Sequence, residues 1–479
     1  MRGDATTCLL LSLALVVAAQ PIPNCQNAKE FYSQDDYYFP DAPDVDFCYC
    51  ERMEGSDWEA EVTCRLGFKK RQLEVAVDAT RAANVTVARL FLDNVGPFQN
   101  TSVPEGEECH AVPPRFLADL GVRPRALVLN ECYCAPGEPF RGQAYSRELN
   151  LDPGAFEGLE DSLAELTIEG CVATSLPEAL RSLKALKKLN LRVDFDTLRA
   201  QDLAGLTQLE SLNIDSGRLV QVETGSLSGL PNLRTASFKA WNLKNMRLFE
   251  ELNTIESLQT LHILRAGNGM GDRLPNGTYI APNDTYIAPD GMLSRLVNLQ
   301  ELQLRNCFFK RISNETFKGL RSLKLLDLSD NLLETIEDGA FAHLTNLAQL
   351  RLGENRIETL SPGTFRGVAA LELLDVSFNG FTNIPPATFQ ELQNLEQLDL
   401  SHNKELRRLH DDSFTGLTGL RTLHLSQTGL THLRKKNFEM LKRLEKLDVS
   451  DSVLAVVDED MFEGLQNLQQ LDLSKNHMR

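Results

Sequence analysis

The sequence lacks the short motifs that most classes of enzyme need. It has no glycine-rich phosphate loop, no paired zinc-ligand motif and no nucleophile elbow. His402, His424 and His432 have aspartates nearby, but they recur along the chain at regular spacing. A hydrolytic site instead gathers a nucleophile, a base and an orienting group in one closed pocket. We therefore expect a protein that is not an enzyme and that uses no cofactor.

Long apolar segments are also scarce. One stretch from Cys8 to Ala18 follows Arg2 and ends in small residues, as in a cleaved signal peptide. It is shorter than the roughly 20 residues of a membrane helix, and no later stretch reaches that length. We expect residues 1–19 to be a signal peptide. The mature protein is then secreted, or lies at the outer face of the plasma membrane if an anchor follows in a longer chain.

Positive charge is in deficit. The chain has 49 Lys and Arg residues against 67 Asp and Glu residues, which gives a net charge of −18. Such a surface repels nucleic acid and anionic lipid headgroups, so neither is an expected partner. The acidity has two interpretations: it steers a basic ligand to the protein, or it keeps a long secreted chain soluble.

The motif L-x-x-L-x-L-x-x-N recurs along the chain at steps of mostly 24 or 25 residues. The clear copies begin at Leu323, Leu347, Leu371, Leu395, Leu420, Leu444 and Leu468. Looser copies begin at Leu163, Leu186, Leu209, Leu233, Leu258 and Leu299, and degenerate copies at Val87 and Pro124. This period is typical of leucine-rich repeats, whose units stack because none of them is stable alone. The fold class that we predict is an α/β solenoid.

Each part of the motif has a predicted structural role. The alternation L-x-L predicts a short strand with inward leucines, and stacked strands form a parallel sheet on the concave face. The terminal asparagines should satisfy backbone groups of neighbouring coils: Asn331, Asn355, Asn379, Asn403 and Asn476. Bulky residues should fill the convex side and curve the stack into a horseshoe: Phe317, Phe341, Phe365, Phe389, Phe414, Phe438 and Phe462.

One step of the repeat, from Leu258 to Leu299, is much longer than the others. The excess contains a glycine-rich segment and two copies of a seven-residue sequence, Asn276–Pro282 and Asn283–Pro289. We predict an inserted loop over residues 267–290 that projects from the solenoid. It is either a ligand-contacting or processing loop, or a tolerated surface insertion. N-glycosylation sequons begin at Asn84, Asn100, Asn276, Asn283 and Asn314.

The cysteines test this register. Nine remain after signal cleavage, an odd number that cannot pair completely within one chain. Cys132, Cys171 and Cys307 fall where the motif allows Asn or Cys, which predicts buried, unpaired thiols. Six others are predicted to form disulfides that cap the first coil and tie down a loop: Cys25, Cys48, Cys50, Cys64, Cys109 and Cys134. A metal site at Cys48-Tyr49-Cys50 is the alternative, but the one-residue gap and the secreted context favour disulfides.

The order Cys25, Cys48-x-Cys50 and Cys64, followed by 24-residue repeats, resembles extracellular leucine-rich-repeat proteins of the Toll-receptor and Slit kinds. The resemblance implies disulfides Cys25–Cys50 and Cys48–Cys64. It also implies recognition of an extracellular protein or a microbial ligand, as a homodimer or heterodimer. The chain stops inside a repeat at Arg479, so we expect no C-terminal cap and a native protein that continues further.

Four regions follow from these patterns. They are the signal peptide at 1–19, a cysteine-rich cap at 20–86, degenerate repeats with a disulfide-linked loop at 87–162, and leucine-rich repeats at 163–479.

Ligand-binding positions are expected between the motif leucines on the concave face. Acidic candidates and one histidine occupy the later repeats: Asp327, Asp375, Asp399, His424 and Asp448. Four basic candidates precede these residues, and Arg351 lies between Asp327 and Asp375: Lys188, Arg192, Lys239, Arg305 and Arg351. The aspartates form either a ligand site or the solvated filler that L-D-L-S repeats commonly carry. A concave face with a basic half and an acidic half is the sharper hypothesis, and no metal is assigned.

The predicted function is non-enzymatic binding by the ectodomain of a Toll-like surface receptor. The alternatives are a secreted adhesion or matrix protein, and a secreted carrier or protease inhibitor that uses the same face.

Overall fold

The computed structural model describes residues 48–53, 59–64, 70–82, 84–95, 115–132, 149, 151–240, 247–264, 286–457 and 460–478. The chain forms two compact units. Unit 1 comprises Met1–Ala173 and Pro177–Leu186, and unit 2 comprises Thr174–Leu176 and Lys187–Arg479. The predicted signal peptide, Cys25, Cys109 and Cys134, and the sequons at Asn100, Asn276 and Asn283 lie outside the described residues.

Unit 1 joins an antiparallel hairpin and a helix to the first strands of the stack. Its elements are β1 (Cys48–Arg52), β2 (Glu59–Cys64), α1 (Lys70–Ala82), β3 (Thr86–Val95), α2 (Phe116–Asp119), β4 (Ala126–Cys132), β5 (Glu165–Val172) and a 3-10 helix (Glu178–Ser182). β1 and β2 form an antiparallel hairpin, and β2, β3, β4 and β5 pair in parallel in that order. Leu73, Ala76, Val77 and Thr80 bury one face of α1, at the helical spacing of an amphipathic stripe.

The described residues of unit 2 form nineteen strands and two short helices. In chain order these are β6 (Lys188–Asp194), β7 (Thr197–Leu198), β8 (Ser211–Ser216), β9 (Gln221–Val222), β10 (Thr235–Ala240), α3 (Arg247–Leu252), β11 (Thr260–Leu264), β12 (Tyr286–Ile287), β13 (Glu301–Arg305), β14 (Phe309–Ile312), β15 (Leu325–Asp327), β16 (Thr335–Ile336), β17 (Gln349–Arg351), β18 (Leu373–Asp375), β19 (Gln397–Asp399), β20 (Thr422–His424), β21 (His432–Leu433), α4 (Lys435–Phe438), β22 (Lys446–Asp448), β23 (Val456–Val457) and β24 (Gln470–Asp472).

The main sheet of unit 2 is the predicted parallel sheet. Twelve strands pair in succession and in register: β6, β8, β10, β11, β13, β15, β17, β18, β19, β20, β22 and β24. Each belongs to one predicted repeat, and β3, β4 and β5 of unit 1 belong to the remaining three. The prediction of a stacked parallel solenoid is confirmed, including strands in the two degenerate copies.

Phenylalanines form a spine behind the sheet of unit 2. Phe317, Phe341, Phe365 and Phe389 are buried, and adjacent rings stack with centroids 6.1, 6.4 and 5.9 Å apart. Phe414 and Phe438 continue the buried series. Only Phe462 departs from the prediction among these residues, because it is partly exposed while its neighbour Met461 is buried.

The motif asparagines form hydrogen-bonded ladders, as predicted. The Asn355 amide donates to the Leu328 carbonyl of the preceding coil, 3.0 Å away, and its oxygen accepts from the Leu333 N–H at 2.9 Å. Asn331, Asn379, Asn403 and Asn476 repeat this arrangement. Two coils use a hydroxyl at the same position, because Thr428 and Ser452 each donate to the Leu425 carbonyl.

A second series of asparagines was not predicted. These exposed residues directly precede the first leucine of a repeat, and each amide donates to a backbone carbonyl about one repeat earlier: Asn232, Asn298, Asn346, Asn394 and Asn467. The coils are therefore linked both inside and at the surface.

The predicted insertion is shorter than expected at its C-terminal end. Residues 265–285 lie outside the described part of the chain, but Tyr286–Ile287 forms β12, which pairs in parallel with β14, and Ala288 is buried. Ala288 lies 11 positions before the leucine that starts its repeat, as Ile312 does in the next coil. The second copy of the duplicated sequence thus ends inside an ordinary coil, not in a projecting loop.

Disulfide-bonded cysteines occur among the described residues. Cys50 and Cys64 are buried and disulfide-bonded, and Cys64 lies opposite Cys48 in the β1–β2 hairpin. The pairing of these cysteines stays a prediction. Cys171 is also disulfide-bonded, so its prediction as an unpaired thiol was wrong. The repeat register places the Cys171 side chain in the interior, but it does not distinguish a buried thiol from a buried disulfide-bonded sulfur.

Cys307 carries a thiol, but it is only half-buried, whereas a buried one was predicted. Its sulfur donates to the carbonyls of Arg305 and Ile263, at 3.5 and 3.7 Å. Across the described ranges, no helix has the length and apolar character needed to cross a membrane.

Candidate functional site on the strand face

The strands of unit 2 alternate between buried and solvent-facing side chains, as in the i-B-i-B-i burial of β13. We call the solvent-facing side of the twelve paired strands the strand face. Its central residues form a continuous row, because each is the register partner of the next: Asn190, Asn213, Ser237, His262, Gln303, Asp327, Arg351, Asp375, Asp399, His424, Asp448 and Asp472. We call this the central row.

The structure brings several predicted residues together in this row. Arg351, Asp375, Asp399, His424 and Asp448 lie on consecutive strands, so each is beside the next. His424 Nδ1 is 3.8 Å from the Asp448 carboxylate. The row therefore presents three carboxylates and a histidine next to one another, with a guanidinium at one end.

The aspartates also stabilise the turns that follow their strands. Asp375, Asp399 and Asp448 each accept a hydrogen bond from the backbone N–H two residues later, at 2.8–2.9 Å. This is the local bond that aspartate commonly makes with the backbone at a turn. These aspartates are therefore more than solvated filler, and each half-buried carboxylate still has acceptor capacity for a ligand.

Asp472 shows the electrostatic effect of these bonds. The Ser474 hydroxyl and then the Ser474 N–H donate to this carboxylate and lower its pKa below the ordinary aspartate value. The charged form is favoured because both donors stabilise the negative carboxylate and not the neutral acid.

Asp327 does not belong to the accessible site, although it was predicted there. Its side chain is 3% exposed, and its Oδ1 accepts from the N–H and the hydroxyl of Ser329 at 2.9 and 2.6 Å. Its Oδ2 lies 3.9 Å from the Arg351 guanidinium. A buried carboxylate with these partners supports the coil and cannot contact a macromolecule directly.

The predicted basic half of the face is mixed in charge. Lys188 and Arg192 are exposed on β6, and Arg305 is partly exposed on β13. Lys239, however, forms an ion pair with Asp215 of the neighbouring strand, at 3.1 Å. The structure corrects the bipolar hypothesis on this side: Asp215 offsets Lys239, and Arg351 lies beside the acidic stretch instead of apart from it.

An aromatic pair beside the strand face, of which Phe378 is exposed and His402 half-buried, was missed. Phe378 stacks on His402 of the next coil, with ring centroids 3.6 Å apart. The signal is present in the sequence, because both residues directly precede a ladder asparagine, where the neighbouring repeats have Glu354 and Gln427.

A separate open cavity of about 800 Å³ lies off the strand face. It is lined by residues between the strands, including Asn394, Met440 and Arg443. Lys435 at its edge hydrogen-bonds to Glu463 and Asp460, which raise its pKa above the ordinary lysine value. The acidic groups thus offset much of the positive charge at this cavity. No cluster of three or more metal-ligating side chains occurs among the residues with described positions.

The later repeats of unit 2 match a known family. Residues 297–357, 333–381, 370–430 and 418–478 match the leucine rich repeat family. No curated protein matches the chain in sequence.

Solved structures share the fold. The chain is similar to TLR13 in the TLR13–ssRNA13 complex, with a TM-score of 0.54 and 23% identity over 84% of this chain and 55% of that one. It is also similar to a structure of the Drosophila Toll–Spatzle complex, with a TM-score of 0.57 and 17% identity over 91% of this chain and 54% of that one. The chain spans about half the length of these matched chains.

Proposed function

Because the chain is a leucine-rich-repeat solenoid similar in fold to Toll-like receptors, we propose that it is an extracellular recognition protein that binds a macromolecular ligand. The more specific proposal is that the chain is the ectodomain of a Toll-like cell-surface receptor. A secreted adhesion, matrix or carrier protein is the alternative. Both forms bind through the strand face and carry out no reaction.

The observation that carries this proposal is the continuity of the strand face. Twelve in-register strands spaced by about 4.8 Å extend the central row over about 50 Å. Protein interfaces of standard size bury about 800 Å² on each partner, which a surface of this length accommodates. A small-molecule site is instead concave and encloses most of its ligand.

The composition of the central row indicates what the face recognises. Its later part presents Asp375, Asp399 and Asp448, in a chain with a net charge of −18. Complementary charge steers association and sets specificity more than it adds affinity. We therefore propose a protein partner with a basic patch.

The double variant Asp399→Ser, Asp448→Ser tests this proposal. A serine hydroxyl retains an acceptor for the following backbone N–H while it removes the charge. We expect partner association to slow by about tenfold at low salt and by less at high salt, because salt screens the steering charge. Association rates would be measured against a panel of purified secreted proteins and receptor ectodomains.

The matched control is Asp460→Ser with Glu463→Ser, which removes two carboxylates beside the off-face cavity. If this control slows association as much as the strand-face variant does, net charge is responsible and the strand face is not the binding surface. Unchanged association in the strand-face variant contradicts the proposal as well.

The receptor and secreted forms differ in how the native protein partitions. An antibody to the repeats would recover a larger species that requires detergent if the protein is a membrane receptor. It would recover a detergent-independent species if the protein is secreted. N-glycosylation is proposed at Asn84 and Asn314, whose side chains are exposed.

A further inference from the structure

Phe378 is a large apolar side chain at the surface of unit 2. It is 49% exposed, and one face of its ring stacks on His402 with an interplanar angle of 12°. On the same coil, Val376 and Phe381 are fully buried. The hydrophobic core is therefore complete without Phe378, and packing does not account for this residue.

The backbone at Phe378 disfavours phenylalanine. Its φ is +52°, in the left-handed region that bulky side chains rarely adopt and that asparagine and aspartate tolerate better. The same position has positive φ in the neighbouring repeats, where the side chains are polar: Asp330, Glu354, His402, Gln427, Asp451 and Lys475. Phenylalanine at this position thus lacks both a packing role and a conformational advantage.

Three carboxylate residues neighbour the aromatic pair in the repeat register. Glu354 occupies the same position on the preceding coil, on the side of Phe378 away from His402. Asp375 and Asp399 precede the two rings by three residues each and lie side by side in the central row. Arg351 is the nearby cation of the row, and its guanidinium lies toward Asp327.

We propose that Phe378, stacked on His402, is an anchoring site for an arginine side chain of a basic protein segment. A guanidinium is planar, so it stacks on an aromatic face and donates hydrogen bonds to carboxylates in the same plane. The face of the Phe378 ring away from His402 offers the stacking surface. The carboxylates of Glu354 and Asp375 offer the hydrogen-bond acceptors. This inference rests on the proposed function and names the chemistry of its partner.

The test uses a fluorescent peptide of alternating glycine and arginine, together with its lysine counterpart. Fluorescence anisotropy with the full chain should show tighter binding of the arginine peptide, because lysine lacks the planar group. Phe378→Asn should weaken arginine-peptide binding by about fivefold, the upper end of the range for an exposed cation–π contact. Phe378→Tyr should retain binding, since the ring remains.

Stability separates a binding role from a structural one. Asparagine suits a positive φ better than phenylalanine does, so Phe378→Asn should keep or raise the melting temperature while it lowers affinity. The control Val456→Asn removes another exposed apolar side chain, 50% exposed, and should leave peptide binding unchanged.

Three peptide-binding results overturn the inference: equal binding of the arginine and lysine peptides, no loss of binding in Phe378→Asn, or an equal loss in Val456→Asn. Binding of a neutral oligosaccharide that depends on Phe378, without arginine-peptide binding, also overturns it. Failure here is distinct from failure of the proposed function, because native partners would still respond to Asp399→Ser with Asp448→Ser.

Discussion

Replacing Phe365 by alanine is expected to lower the free energy of unfolding by about 4 kcal/mol. The ring is 1% exposed and stacks between Phe341 and Phe389, with centroid distances of 6.4 and 5.9 Å. Its removal leaves a cavity that the rigid coils on either side cannot close. Both stacking contacts are lost together with the buried apolar area.

Amide hydrogen exchange would locate this effect, because each coil of a repeat protein depends mainly on its neighbours. We expect protection to fall most in β17 of the same coil and in β15 and β18 of the adjacent coils. Phe365→Leu retains most of the volume and should cost much less. Phe378→Ala removes the same side chain from an exposed position. A loss from Phe378→Ala as large as that from Phe365→Ala would contradict the assignment of the spine as core.

Asn403→Ala should lower the free energy of unfolding by about 3 kcal/mol. Asn403 is fully buried, and its amide oxygen accepts from the Phe381 N–H. Its amide nitrogen donates to three carbonyls: Val376, Leu400 and Ser401. Alanine would remove the partner of the Phe381 N–H and of the Leu400 carbonyl. The Ser401 carbonyl still accepts from the Phe378 N–H, and the Val376 carbonyl still accepts from the Asn379 amide. Loss of partners for buried backbone groups is more costly than the loss of an exposed hydrogen bond.

Asn394→Ala is the matched control, since it removes one exposed bond to the Ala369 carbonyl. Its expected effect is about 0.5–1 kcal/mol. Chemical denaturation of the native protein, Asn403→Ala and Asn394→Ala, analysed together with hydrogen exchange, would rank their free energies of unfolding. Equal effects at the two positions would show that burial of the ladder asparagine adds nothing.

The repeat architecture was predictable because its physical causes are local and repeated. Inward leucines and ladder asparagines recur at one spacing, and the structure places Leu350 and Asn355 as the motif requires. Even Leu90, in a degenerate copy, lies buried on a paired strand. Stacking reinforces a weak unit through its neighbours, so a poor match to the motif still forms a strand.

Features that depend on contacts between coils were not predictable. The helix α1 was not predicted, because its apolar stripe is short and lies outside the repeat period. Thr428 and Ser452 replace the ladder asparagine through hydroxyl bonds that the motif does not include. Cys171 forms a disulfide at a position that also suits a thiol.

The candidate site was predicted in part. Alternation along the strands placed Asp375, Asp399 and Asp448 on the solvent-facing side, where they form one row. The burial of Asp327 depends on how it packs against its own turn, and the alternation of side chains along a strand does not predict that packing. Phe378 was overlooked because an apolar residue outside the leucine positions has no place in the repeat pattern.

A glycan on the strand face tests the central claim most directly. Asp399→Asn creates an N-x-S sequon with Leu400 and Ser401 in the central row, and Gln469→Thr creates one at the exposed Asn467, off that row. We predict that a partner bound by the native protein loses binding to glycosylated Asp399→Asn, regains it after enzymatic removal of the glycan, and still binds Gln469→Thr. Unimpaired binding with the glycan in place at position 399 would contradict recognition through the strand face.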